Sequence, residues 1–132
     1  MEVVVIDGLG GGIGRSIVET IKKADSDIYV LAIGTNSTAT MNMKKGGADA
    51  IATGENAIVY NAKQATLLIG PLGLVFENSM FGEISPNIAR AISASSARKY
   101  FVPASQCSGQ VLGVQSKSIQ EYIKEFIEII KQ

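Results

Sequence analysis

An unbroken apolar run, Val3-Val4-Val5-Ile6, gives way to Asp7 and a glycine-rich stretch, after which apolar positions return at Ile13, Ile17, Val18 and Ile21. The run has the look of a strand covered on both faces, and the spaced set is the stripe of a helix packed along one side, ending before Asp25-Ser26-Asp27. Ile28 to Ile33 repeats the first pattern and predicts a second strand. Ser37 to Lys45 reads as a short helix stopped at Gly46-Gly47, where glycine can take a left-handed cap. A brief strand follows over Ala50 to Ala52. Ala57 to Lys63 suits a strand about as well as a helix, and strand–helix alternation selects the helix.

Thr66 to Ile69 predicts the fourth strand, broken by Gly70-Pro71-Leu72-Gly73. Ser85 before Pro86 marks a helix start, with Ile88, Ala89 and Ile92 as its buried face. Lys99 to Val102 predicts a fifth strand and Val111 to Val114 a sixth. The connection between those two is too short for a parallel crossover, so the sixth should run antiparallel to the fifth. Ser118 and Glu121 form a capping box for a last helix with the apolar face Ile119, Tyr122, Ile123, Phe126 and Ile130. Together these elements predict one α/β domain over 1–132: a three-layer, Rossmann-like, doubly wound sheet, mostly parallel, in the order 3-2-1-4-5-6. In such a sheet ligands sit beyond the carboxyl ends of the strands, at the switch point between strands 1 and 4.

Composition narrows the chemistry. Twelve basic and twelve acidic side chains cancel, so no global field gathers a polyanion, and nucleic-acid binding is not expected. The apolar runs fall short of a membrane span, and the start lacks a basic segment followed by a cleavage site; the expected location is the cytoplasm. With no histidine and a single cysteine, Cys107, neither a His/Cys metal cage nor a Ser/His or Cys/His nucleophile pair can form within the chain. No metal site is expected, and an inert or metal-scavenging thiol is the better reading of Cys107.

The glycine turn is the leading candidate for function. Glycines at 8, 10, 11, 12 and 14, five in seven positions, allow a tight turn, close approach of a ligand and a helix start against the strand. The unpaired N–H groups there, with the positive end of the helix dipole, favour phosphate or carboxylate. The same glycines could equally serve only to connect strand and helix. Candidate binding residues are Gly8, Gly10, Gly11, Gly12, Ile13 and Gly14, with Thr35 and Asn36 after strand 2. Dinucleotide sites usually carry an acid there for the ribose diol. Hydroxyls and an amide in its place fit NADP or another phosphorylated nucleotide better than NAD, and they also fit a helix cap.

Asp7, Glu55 and Glu83 are the candidate acids or bases, each with a structural alternative: turn hydrogen bonds for Asp7, a cap or dipole partner for the glutamates. The apolar segment 72–84 suggests a surface for a second copy of the chain, or else a lid packed over strand 4.

Gly8-x-Gly10-x-x-Ile13 misses the third glycine of the common dinucleotide fingerprint, while Gly8-x-x-x-Gly12-Ile13-Gly14 resembles the cofactor turn of short-chain dehydrogenases and reductases. That likeness stops at the turn: Tyr60 and Lys63 are three apart, not the four of that family's catalytic pair. The strings Val-Ile-Asp-Gly-Leu-Gly-Gly-Gly-Ile-Gly, Gly-Thr-Asn-Ser-Thr-Ala-Thr, Ala-Thr-Gly-Glu-Asn-Ala-Ile and Asn-Ser-Met-Phe-Gly-Glu-Ile resemble, over almost the whole chain, the bacterial family termed domain of unknown function 3842. The resemblance implies a small Rossmann-like protein and brings no assigned activity. Three functions stay open: a module binding a nucleotide or small phosphorylated ligand, a small oligomeric enzyme using a carboxylate acid or base, and a structural or partner-binding subunit.

Overall fold

A computed structural model describes residues 1–103 and 109–132. Five strands, β1 (Glu2–Asp7), β2 (Tyr29–Gly34), β3 (Ala50–Thr53), β4 (Leu67–Pro71) and β5 (Arg98–Val102), alternate with α1 (Gly12–Ala24), α2 (Ser37–Lys45), α3 (Glu55–Gln64) and α4 (Pro86–Ala94). A 3₁₀ turn (Leu72–Val75) follows β4, and α5 (Ile119–Ile130) ends the chain. The sheet is parallel throughout, in the order β3-β2-β1-β4-β5.

Period-two alternation in β1 divides the core. Val3 and Val5 join the α1 and α5 residues Ile17, Ile21, Ile123 and Phe126 on one face, with Met43 of α2. Val4 and Ile6 meet Ile58 of α3 and Ile88 and Ile92 of α4 on the other. Two-sided burial is why β1 and β4 read as continuous apolar runs. Each isoleucine so buried contributes roughly 1.5–3 kcal/mol. Crossovers of constant hand also require this division, since the chain steps outward from β1 to β3 and then returns to β4.

Local capping signals set most helix bounds. Asn36 accepts from the Ala39 N–H at 2.8 Å and Ser85 from the Ile88 N–H at 3.2 Å. Both bonds of the Ser118–Glu121 capping box form. At the end of α2 the left-handed residue is Gly47, φ 110°, while Gly46 stays right-handed. β4 runs on through Gly70 and Pro71, which pair with Phe101 and Val102.

The expected sixth strand is absent among the described residues. Val111, Leu112 and Val114 lie exposed, and Gly113 takes φ +85°, a conformation that interrupts an extended chain. Three apolar side chains and a glycine, without a polar alternation, specify no covered face, and the Tyr122 hydroxyl instead ties this stretch to α5 through the Gln115 carbonyl. Cys107 falls outside the described residues. No helix is long and apolar enough to cross a membrane.

Candidate functional site

The switch point lies where β1 pairs with β2 on one side and β4 on the other, so the turn after β1 sits at the head of the crevice. Gly11 caps α1 at φ 74°, and a Cβ there would lie 2.7 Å from the backbone of Ala39. Only glycine fits this contact between the starts of α1 and α2. Gly11 has no side chain to cap the helix, and Asp7 takes that task from the end of β1. Its carboxylate accepts from the Gly8 N–H at 2.8 Å and from the Gly14 N–H, in the first turn of α1, at 2.7 Å.

Asp7 is buried rather than at the pocket mouth. Burial pushes its carboxyl up to about 6, a rise its two backbone hydrogen bonds only partly offset and to which nearby Glu83 adds. The local alternative for Asp7, an acceptor for its own turn, is thus the arrangement formed.

Glu83 reaches the turn from the segment between the 3₁₀ turn and α4, residues 76–84, which lies across it as a strap. Its Oε1 accepts from the Leu9 N–H at 2.9 Å, the Thr35 hydroxyl at 2.5 Å and the Asn36 amide at 2.8 Å. Partial burial pushes this carboxyl up, and the bonds from Thr35, Leu9 and Asn36 outweigh that and hold it below the ordinary glutamate range. A Cβ on Gly8 would meet Met80 Sδ at 2.7 Å and Thr35 Oγ1 at 2.8 Å, so the strap rests directly on the glycine. Position 83 was legible as a carboxylate near the rim. Its contacts with residues 47, 48 and 74 places away leave no local sequence signal.

Of the turn's N–H groups, Asp7 holds those of Gly8 and Gly14, Glu83 that of Leu9, and the Gly8 carbonyl that of Gly11. Those of Gly10, Gly12 and Ile13 have no acceptor among the described residues. They border a cavity of about 190 Å³ lined by residues 7–13, Pro71 and Met80. Gly10 also borders a second hollow of about 390 Å³ with Ser37, Thr38, Asn42 and Lys45 at its wall. Arg15 turns away from the cavity to Glu19, at 2.6 Å, and Asn42, at 3.0 Å.

Asp7, Gly8 to Gly14, Thr35, Asn36 and Glu83 are therefore gathered in one place. Glu55 is not: its carboxylate bonds Ser85, the cap of α4, and Asn87 at 3.4 Å, fastening the starts of α3 and α4 together. Of the apolar segment 72–84, Leu74 and the strap residues Met80 and Ile84 belong to the core, while the Phe81 ring stands 94% exposed.

Compared with known proteins, the chain matches one family model, described as Domain of unknown function (DUF3842), over residues 2–132. No curated protein and no solved structure matches it.

Proposed function

Because the chain belongs to the DUF3842 family, whose function is unassigned, its own geometry is the premise from which we propose that it binds the phosphate of a small ligand or nucleotide at the glycine turn. One observation carries this reading: the N–H groups of Gly10, Gly12 and Ile13 are unpaired at the positive end of α1, beside a cavity at the sheet's switch point. Hydrogen bonds to a charged group contribute roughly 1.5–3 kcal/mol each. Two or three of them, set against the repulsion from Asp7, fit a dissociation constant of about a millimolar for phosphate alone.

Ligand size follows from the volumes. Sites for whole small molecules span roughly 300–1,000 Å³, so the turn cavity of about 190 Å³ holds a phosphate group and leaves no room for a dinucleotide under the strap. The rest of the ligand extends past Gly10 towards Ser37, Thr38 and Lys45, where an ammonium supplies countercharge. An NADP-like molecule enters only with the strap displaced. Binding ranks above acid–base catalysis here because Asp7, Glu55 and Glu83 are each held by donors of the protein itself.

The test is thermal unfolding with inorganic phosphate, ATP, NAD and NADP at millimolar concentration. At least one phosphorylated compound should raise the midpoint by a degree or more, and Gly12→Pro, which removes one of the open N–H groups, should abolish the rise. Midpoints unmoved by all four compounds would end this reading.

A further inference from the structure

Leu9 is one of four non-glycine residues with left-handed backbone among those described; the others are Asn78, Met80 and Phe81, all in the strap. Strain of this kind persists only where surrounding contacts over-determine the backbone. The strap is closed at its neck by the Asn78 N–H to the Ile84 carbonyl at 2.6 Å and within by the Glu83 N–H to the Met80 carbonyl at 3.1 Å. It is thus a formed knob, and the Glu83 side chain is its polar tie to the turn and to the end of β2.

The three donors on Glu83 Oε1 come from three chemically different groups: a backbone N–H, a hydroxyl and a carboxamide. They converge on one oxygen, as donors do around a bound anion. Two sit at Thr35 and Asn36, beyond β2, and the third is adjacent in sequence to the open N–H of Gly10. An anion on Gly10 and Gly12 would therefore approach a donor set that a carboxylate of the chain already fills, and would be repelled by it.

We propose that Glu83 is a built-in competitor at this site: its carboxylate stands where a ligand's phosphate or carboxylate would bind, and the ligand takes the Leu9, Thr35 and Asn36 donors by displacing it and lifting the strap. This rests on the glycine turn being a phosphate site and adds how access to it is controlled. Met80, lying over Gly8, leaves with Glu83, and the cavity then opens towards Thr35 and Asn36. The proposal also explains why the expected ribose-diol acid is missing after β2 while a carboxylate nevertheless stands there, delivered from a distant loop.

The experiment titrates inorganic phosphate into the wild type and Glu83→Gln, reading backbone amide resonances. A glutamine holds the same donors without charge, so the variant should bind about tenfold more tightly, with the Leu9 amide moving alongside Gly10, Gly12 and Ile13. Equal dissociation constants, with only Gly10, Gly12 and Ile13 moving, would overturn displacement and leave the phosphate site standing. No shift in either protein would overturn both. Should Glu83→Gln fail to fold, the wild type alone decides, through the pH titration of its Glu83 carboxyl carbon. With saturating phosphate the midpoint should rise into the ordinary glutamate range, and an unchanged midpoint would refute the displacement.

Discussion

Two carboxylates a few residues' width apart respond to their surroundings in opposite ways, and stability against pH should show it. Asp7 is buried with a folded value of about 6 against 3.8 for the free group. Its folded state prefers the proton, so its contribution is fully present below pH 3.8 and is lost as pH rises through about 6. The loss is on the order of 3 kcal/mol. Glu83, held below its ordinary 4.5 by the Thr35, Leu9 and Asn36 donors, behaves conversely: its contribution is present above 4.5 and is lost as pH falls through its folded value. Asp7→Asn removes the first titration and keeps the second. Denaturant unfolding of both proteins should find the wild type's margin over Asp7→Asn shrinking by a few kcal/mol between pH 4 and pH 7. A constant margin would mean that Asp7 is not buried as an acceptor of the Gly8 and Gly14 N–H groups.

The strap is the element whose local preferences disagree most with its conformation. Left-handed backbone costs an L residue roughly 1–2 kcal/mol, and Phe81, 94% exposed, recovers none of that by burial. Phe81→Gly releases this cost and adds roughly 0.4–1 kcal/mol of unfolded-state entropy, so a net stabilisation of about 0.5–1 kcal/mol is expected. Equilibrium unfolding in urea measures it. Destabilisation instead would show that the ring is covered in solution, as it would be if a second copy docked there. Helices such as α2, α4 and α5 were legible in the sequence because their signals are local: Asn36, Ser85-Pro86 and Ser118 with Glu121 each act within one turn. The five parallel strands and their order followed from continuous apolar runs alternating with those helices. The strap was not legible, since its tie to the turn joins residues up to 74 apart and its backbone defies residue preference. The sixth strand does not form for a related reason: the exposure of Leu112 and Val114 and the positive φ of Gly113 are set by surroundings that an apolar run does not encode.

At the scale of the whole molecule, charge balance decides what the site can attract. With twelve charges of each sign the protein has no long-range pull on an anion, so local terms govern: the α1 dipole and three open N–H groups against Asp7 and Glu83. Arg15 is engaged by Glu19, and the Thr35, Leu9 and Asn36 donors hold the Glu83 carboxyl below the ordinary glutamate range, whereas burial raises that of Asp7 to about 6. Asp7 is thus the group next to the turn whose charge can change near neutrality. A bound anion raises its carboxyl further above 6, so binding at pH 6.5 must draw in a fraction of a proton, and affinity must fall as pH rises. Sulfate is the suitable probe because it does not titrate in this range. Its affinity should drop several-fold from pH 5.5 to 7.5, within the limit of tenfold per pH unit for a single coupled proton. Calorimetry in buffers of different ionisation enthalpy should register the proton uptake directly, and Asp7→Asn should show neither effect. The same pH slope in both proteins would place the bound anion away from the glycine turn.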